Sequence, residues 1–303
     1  PTIDGTIVGF EKKGKDTYAL IDTSDVHTLM IAAAGTGKTT FFLEPNIEYC
    51  CAAGMSFIST DTKGDIYRNC GYVAAKRYGY KISVIDLRNP LKSDGFNLLH
   101  LVKKYMDEHK NNPLNISAKA KSERYAKIVA DSIIAADGDK YGANTYFYDA
   151  AKGLIAALIL IIAEYGNDKE CHIVSVLKLM IELLEAKPQK KSQLKSETYF
   201  ADLIKLLPPE HKARWLSGAA INNADQAALS VISTALSRLN SLIDTETEQI
   251  LCFNTAIDTE TLCKEKCAVF IVLPEEDRTK YVIANLIIEQ ISREIYHIAD
   301  ENG

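Results

Sequence analysis

The stretch HTLMIAAAGTGKTTFF, from His27 to Phe42, constrains the fold of this chain more than any other segment. Its apolar residues Leu29 to Ile31 have the composition of a strand, and a helical pattern begins at Phe41. Two closely spaced glycines, Gly35 and Gly37, separate these patterns and permit a sharp turn of the backbone. The segment therefore predicts an α/β fold with a glycine-containing turn between a strand and a helix.

This turn matches the phosphate-binding pattern G-x-x-x-x-G-K-[ST], except that Ala32 stands in place of the first glycine. An alanine is compatible with that position if its φ is negative. In such a loop, backbone N–H groups surround the phosphates and the following helix directs its positive end at them. We expect Lys38 to reach the β- and γ-phosphates of a nucleotide, Thr39 to bind Mg²⁺ and Thr40 to meet the α-phosphate. The alternative interpretation is an ordinary helix start.

Hydrolysis of a nucleotide also requires carboxylates that position the metal and the attacking water. A hydrophobic strand that ends in Asp-Glu usually supplies them, and this sequence contains no such strand. The nearest candidates are Asp61, Asp86 and Glu275, the last of which follows Pro274 where the metal-binding Asp is expected. Asp61 is the best candidate for polar contact with the phosphate site. A strand-end Asp that caps the next helix is an equally open interpretation.

Composition limits the other classes of function. The chain has 303 residues, 47% of them hydrophobic, and a net charge of -5, which argues against a surface that coats nucleic acid indiscriminately. Seven cysteines without a CxxC pair predict a reduced protein with mostly buried thiols rather than a zinc site. The six histidines show no HxxxH or HExxH spacing, so a histidine-based metal site is not expected.

Strand and helix patterns alternate over the first hundred residues, which predicts a parallel sheet covered on both faces. Helices are expected at Phe41–Ala53 and Ile66–Tyr78. The expected strands are TIVGF, TYALID, HTLMIAA, MSFISTD and KISVID, and a further strand, CAVFIVL, returns at residues 267–273. A long helix is expected from about Arg278, with an apolar stripe formed by Ala284, Ile287, Ile288, Ile291, Ile295 and Ile298.

The sequence between these two parts, from about Leu98 to Asn240, is helical in pattern. Residues 119–136 place apolar side chains on one face of a helix, and the apolar run at residues 153–163 predicts a buried helix too short to cross a bilayer. We therefore expect a nucleotide-binding domain at residues 1–100 and 241–303, interrupted by an all-α domain at residues 101–240.

Three further features have less specific interpretations. The stretch DTKGDIYRNCG, at residues 61–71, places Gly64 in a strand-to-helix turn near the edge of the sheet where ligands gather. Trp215, the single tryptophan, is expected in the core rather than at a base-stacking surface. Two basic clusters are expected to be solvated surface because acidic residues accompany them; they are Lys119, Lys121, Arg124 and Lys127, and Lys187, Lys190, Lys191 and Lys195.

Taken together, these segments resemble the type IV coupling proteins, the hexameric ATPases that pump DNA in bacterial conjugation and type IV secretion. HTLMIAAAGTGKTT comes first, followed by STDTKGDIY, which is similar to the family's Asp-Pro-Lys-Gly-Glu-Leu element with Thr62 for Pro and Asp65 for Glu. VIDLRNPLKSDGFNLL and AVFIVLPEEDRTKYVIANLIIEQI then follow in the family's order. The resemblance spans nearly the whole chain.

This resemblance implies a RecA-like P-loop fold with a mostly parallel sheet and an inserted all-α domain. It implies that Mg²⁺ and ATP bind at Gly35, Thr36, Gly37, Lys38, Thr39 and Thr40. We expect Ala34 and Asp61 to belong to the same cofactor-binding site, and Lys38 and Thr39 to be catalytic. It also implies a homo-hexamer that receives relaxase-bound DNA and contacts type IV secretion channel components at the cytoplasmic face of the cell membrane.

The chain opens at Pro1 without a methionine, and we expect it to be a soluble, excised piece of such a protein. The family's N-terminal membrane anchor and its Asp-Glu motif are expected outside these residues, so the ATPase activity is expected of the parent protein. Two other functions remain open at this stage. One is a nucleotide-gated substrate receptor or adaptor without turnover, and the other is an enzyme of small-molecule phosphoryl transfer.

Overall fold

The computed structural model describes residues 3–24, 26–135, 145–184, 199–218, 225–277 and 279–302. The chain divides into two compact units. The first comprises Pro1–Asp94, Ala256–Asp277 and Ile295–Gly303, and the second comprises Gly95–Thr255 and Arg278–Glu294. The domain boundaries expected near residues 100 and 241 stay a prediction.

The first unit contains a three-stranded parallel sheet, which confirms a mixed α/β fold with parallel pairing. Its strand order is β3-β5-β4, so the central strand comes from a distant part of the sequence. All residues of β5 are buried, as expected for a continuous apolar run between two neighbours. The strands are β3 (Phe57–Asp61), β4 (Lys81–Asp86) and β5 (Cys267–Val272).

Two helices of this unit pack on the sheet and end at glycines. They are α1 (Glu44–Ala53), which ends at Gly54, and α2 (Asp65–Tyr78), which ends at Gly79; both glycines have the left-handed backbone that favours this residue. Their apolar side chains form one core with the sheet, and its buried members are Ile47, Cys51, Ile66, Ala74, Tyr80, Ala268 and Phe270. The helices expected at Phe41–Ala53 and Ile66–Tyr78 are thus confirmed within a few residues.

The first two strands do not join the parallel sheet, which corrects the expectation of one sheet covered on both faces. β1 (Thr6–Lys13) and β2 (Asp16–Asp22) form a separate antiparallel ribbon. The tight turn between them contains Gly14 at φ 66°, and a short connection of this kind joins antiparallel neighbours. Asn46 on α1 anchors the ribbon, because its side-chain oxygen accepts a hydrogen bond from the N–H of Ile7 over 2.7 Å.

Helices dominate the second unit, and no strand occurs in it among the residues that the structure describes. They are α3 (His100–Asn111), α4 (Ile116–Ala135), α5 (Thr145–Tyr165), α6 (Ile173–Leu184), α7 (Tyr199–Leu206), α8 (Lys212–Leu216), α9 (Asp225–Asn240) and α10 (Thr245–Leu251). The helix expected at residues 119–136 corresponds to α4, and Tyr125, Val129 and Ile133 on it are buried. A short helix of the first unit, α11 (Thr259–Lys264), and the long α12 (Thr279–Asn302) complete the chain.

Helix α5 carries the apolar run at residues 153–163. Every residue from Leu154 to Ala163 is buried, which confirms the expected buried helix. The whole helix has 21 residues, so the expectation that it is too short to cross a bilayer holds for the apolar run and not for the helix. It is the one helix among the described ranges with the length and composition of a membrane span, and 67% of its most apolar window is buried inside the protein.

Candidate functional site: the glycine-containing loop

The loop at residues 34–38 adopts the backbone that its glycines predict. Gly35 has a φ of 77° and Gly37 a φ of 81°, a left-handed region that side-chain-bearing residues rarely occupy. A Cβ atom placed on Gly35 would meet no other atom within 4 Å. The backbone at Gly35 is therefore open to the close approach of a ligand.

Lys38 directs its side chain back over the loop. Its ammonium donates to the carbonyl oxygen of Ala32 over 2.6 Å and to that of Ala33 over 2.7 Å. The hydroxyl of Thr36 donates to the same Ala33 carbonyl over 2.8 Å. These bonds fold the loop around a lysine ammonium that has no carboxylate partner among the described residues.

A helix begins directly after Lys38. Its first turn, Thr39–Leu43, is a π-helical turn without acidic side chains, and α1 continues from it. The hydroxyls of Thr39 and Thr40 lie on exposed residues of this turn. The amino end of this helix carries a partial positive charge, and no acidic side chain of the first turn offsets it.

The strand expected before the loop is absent. Residues 27–33 join no ladder within the part of the chain that the structure describes. The side chains of Leu29 and Ile31 are 84% and 85% exposed, although their composition is typical of a buried strand. A strand requires a neighbour with which to pair its backbone, and apolar composition alone does not supply one.

Asp61, the carboxylate singled out by sequence, lies at the end of β3 and is buried. Its two oxygens accept hydrogen bonds from the N–H of Ile66 over 2.7 Å and from that of Lys63 over 3.0 Å. The carboxylate therefore fixes the turn into α2, as the capping interpretation predicted. Contact of Asp61 with a nucleotide stays a prediction.

A family model for type IV secretory system conjugative DNA transfer matches residues 2–303. The chain belongs to this family. No curated protein matches the chain. Membership confirms the resemblance to the type IV coupling proteins, which rested on several short motifs in a fixed order.

Other residues of this conjugative DNA transfer protein lie at the same sheet edge as Asp61. Asp86 ends β4, and its carboxylate accepts hydrogen bonds from the N–H groups of Arg88 and Asn89, both over 2.9 Å. Glu275 follows β5 after Pro274 and is exposed. Asp86 thus stabilises a local turn, and Glu275 lies beyond the end of the central strand.

Sequence reasoning missed one link across this edge. The Arg88 guanidinium, after β4, donates to the carbonyl oxygen of Lys63, after β3, over 3.1 Å. Since β5 lies between these two strands, the bond ties the loops on either side of the central strand. The position of both residues directly after strands was the available signal, and the strand order was needed to interpret it.

Trp215 of this transfer-family protein is not in the core, contrary to the sequence-based expectation. It lies on the short helix α8, and 60% of its surface is exposed. The first basic cluster lies on α4, where Arg124 and Lys127 are exposed as expected. The second basic cluster, at residues 187–195, and Arg278 lie outside the described residues.

The cysteines are less buried than expected, since three of the seven are buried and another three, Cys50, Cys70 and Cys252, are half-buried. All seven are free thiols; Cys51, Cys171 and Cys267 are buried, and Cys263 is exposed. Within the described ranges, no group of three or more His, Cys, Asp or Glu side chains is arranged to hold a metal ion.

Proposed function

We propose that this chain is the ATP-binding part of a motor that transfers DNA in conjugation. The observation that carries the proposal is the loop at residues 34–38, in which Gly35 and Gly37 have positive φ, the Lys38 ammonium bonds back to the loop backbone, and a helix begins directly after Lys38. Membership in the conjugative DNA transfer family supplies the biological context.

The chemistry of these residues fits a triphosphate and its metal. We assign the backbone of Ala34–Lys38 to the phosphates, the Lys38 ammonium to the β- and γ-phosphates and the Thr40 hydroxyl to the α-phosphate. The Thr39 hydroxyl is the expected Mg²⁺ ligand. Bound ATP supplies the free energy of a phosphoanhydride bond to the motor, and the protein's part is to neutralise charge and to fix orientation.

The larger assembly belongs to the same proposal. A coupling protein of this family is expected to form a homo-hexamer at the cytoplasmic face of the membrane, to receive a relaxase–DNA complex and to deliver it to type IV secretion channel components. Family membership supports this setting, and the loop supports the nucleotide.

A second candidate is a substrate receptor whose shape depends on nucleotide but which does not turn it over. It is favoured by the carboxylates of this chain, since Asp61 accepts hydrogen bonds from the turn into α2, and Pro274 follows the central strand where a metal-binding Asp is expected. The two candidates differ in the need for hydrolysis. If the intact protein is a motor, Lys38→Ala abolishes DNA transfer in conjugation. If it is a receptor, the same variant keeps most of its activity.

Calorimetry with Mg²⁺ and a non-hydrolysable ATP analogue tests the nucleotide site directly. We expect saturable binding by the wild-type chain and its loss in Lys38→Ala, because the ammonium that meets the phosphates is removed. Lys76→Ala is the matched control, since Lys76 is an exposed lysine on α2. Absence of binding by the wild-type chain, or equal binding by Lys38→Ala, overturns the proposal.

A further inference from the structure

The only tryptophan of the chain lies at the surface, where a hydrogen bond orients its ring. The indole N–H of Trp215 donates to the carbonyl oxygen of Pro209 over 3.0 Å, although 60% of the residue is exposed. A large exposed aromatic side chain with a fixed orientation loses little conformational entropy on binding. Such a side chain is therefore suited to contact a ligand through its flat face.

The helix that carries Trp215 is anchored from beneath. His211, at its amino end, is buried, and its Nδ1 accepts a hydrogen bond from the N–H of Ala213 over 3.1 Å. Its Nε2 donates to the carboxylate of Glu164 on α5 over 2.8 Å. Because Nδ1 is an acceptor here, the Nε2 atom carries the proton. The buried α5 helix thus serves as a fixed base for the exposed indole.

One cationic side chain lies over the indole, and a second cation is carried by the neighbouring residue of the same helix. The Lys212 ammonium lies 3.7 Å from the centroid of the Trp215 ring, and the Arg214 guanidinium donates to the Leu207 carbonyl over 3.0 Å. Neither cation has a carboxylate partner among the residues that the structure describes. Two acidic residues, Asp202 and Glu210, lie on the same stretch of chain, and Asp202 is 3.8 Å from the ammonium of Lys205.

We propose that Trp215, Lys212 and Arg214 form a binding surface for single-stranded DNA. A base stacks on the indole, and the adjacent phosphates contact the two cations. The stem of Lys212 is flexible, so its ammonium can leave the ring for a phosphate oxygen and free the ring face. An aromatic platform beside cations without carboxylate partners suits nucleic acid better than an acidic peptide, which offers charge but no planar ring. The proposal rests on the proposed role in DNA transfer.

Because Trp215 is the single tryptophan, the tryptophan fluorescence of the chain reports on this surface alone. We expect oligothymidylate of about 20 nucleotides to quench Trp215 emission saturably in the wild-type chain, since stacking brings the base against the indole. The apparent affinity should fall as salt concentration rises, because phosphate contacts release counterions. The same titration with polyglutamate provides a ligand of similar charge without rings.

Variants separate stacking from charge, with binding followed by the anisotropy of a labelled oligothymidylate. Trp215→Ala should weaken binding about tenfold, and Trp215→Phe should weaken it less because a ring remains. Lys212→Ala should weaken binding and reduce its salt dependence. The matched controls are Tyr72→Ala and Lys76→Ala. They remove an exposed aromatic residue and an exposed lysine from α2 and should leave binding unchanged.

The proposal is overturned if oligothymidylate does not quench the emission, if polyglutamate binds as tightly, or if both Trp215→Ala and Lys212→Ala bind like wild type. Circular dichroism of each variant establishes that it is folded. Calorimetry with the ATP analogue on the same variants keeps the two proposals apart. If the variants lose DNA binding but keep nucleotide binding, the result supports this DNA-binding surface. If the wild-type chain binds DNA but no nucleotide, the result overturns the proposed motor and leaves the DNA-binding surface supported.

Discussion

The Phe41 ring lies where a side chain on Gly37 would begin. The Phe41 N–H donates to the Gly37 carbonyl over 2.8 Å, and a Cβ atom on Gly37 would lie 2.5 Å from Cδ2 of the Phe41 ring. Gly37 is therefore constrained both by its positive φ and by the side chain of the following turn. Gly35 has a similar φ with open space around it.

This contrast predicts how the two glycines tolerate alanine. We expect Gly35→Ala and Gly37→Ala each to lower the free energy of unfolding by about 1 kcal/mol, because both require an unfavourable backbone conformation. The Phe41 ring is exposed and can move, so the close contact adds little. Urea denaturation measures both variants. Recovery of most of the loss in the Gly37→Ala, Phe41→Ala double variant would show instead that the contact dominates.

Asp61 should act mainly through the turn that it stabilises. Asp61→Ala removes a buried acceptor of two N–H groups and should lower the free energy of unfolding by about 1–3 kcal/mol. Asp61→Asn, which keeps one oxygen, should lose less. Asp86→Ala is a control because Asp86 also accepts two N–H groups but is less buried. A large loss of nucleotide affinity in Asp61→Asn at nearly wild-type stability would assign the carboxylate to the nucleotide instead.

The pair formed by His211 and Glu164 should make stability depend on pH in the acid range. The hydrogen bond from His211 lowers the pKa of the Glu164 carboxyl below its ordinary value of 4.5, although burial opposes this shift. A lowered folded-state pKa gives stability that is present above pH 4.5 and lost as the pH falls through the folded value. The stability difference between wild type and Glu164→Gln should therefore shrink below pH 4.5. A difference that stays constant down to about pH 3 contradicts this assignment.

Removal of Asp244 should lower the free energy of unfolding more than removal of Lys280. Lys280 is buried, with its ammonium 2.6 Å from the Asp244 carboxylate and 3.5 Å from that of Glu246. Asp244→Ala removes the cap of α10 and the nearer partner of a buried cation, so we expect a loss of about 2–3 kcal/mol. Lys280→Met keeps the apolar stem and should lose less. Chemical denaturation measures the free energy of unfolding of both variants. A loss in Lys280→Met that equals or exceeds that in Asp244→Ala refutes the expectation.

The thiols should react with iodoacetamide in an order set by burial. Cys263 is exposed and should be alkylated first in the native protein. Burial raises the pKa of the Cys51 thiol to about 12 and that of Cys171 to about 11, so these two should react last. Mass spectrometry of peptides follows each site with time, and Cys263→Ser should remove the fast phase. Early labelling of Cys51 would show that the core opens readily.

Local patterns were sufficient for most helices and for the glycine-containing loop. The apolar period on α4 predicted the burial of Tyr125, Val129 and Ile133, because side chains three and four residues apart share one face of a helix. The loop could be anticipated because Gly35 and Gly37 permit a backbone that other residues disfavour. In both cases the cause lies within a few residues of its effect.

Pairing and exposure could not be predicted in this way. The apolar segment that contains Leu29 and Ile31 has the composition of a strand, yet ladder formation depends on which other segment lies beside it. Trp215 is apolar enough for a core, yet its bond to Pro209 and the anchoring of its helix through His211 hold it at the surface. The first outcome depends on distant segments, and the second depends on Glu164, which lies 47 positions before its partner His211 in the sequence.

The sequence by itself thus determined the helix faces, the left-handed glycines and the family, since these depend on neighbouring residues and on the order of motifs. Only the tertiary structure decided that β5 lies between β3 and β4, that Arg88 bridges to Lys63 across it, and that Trp215 is exposed. The physical reason is that hydrogen bonds and burial between distant segments are selected by the packing of the whole chain.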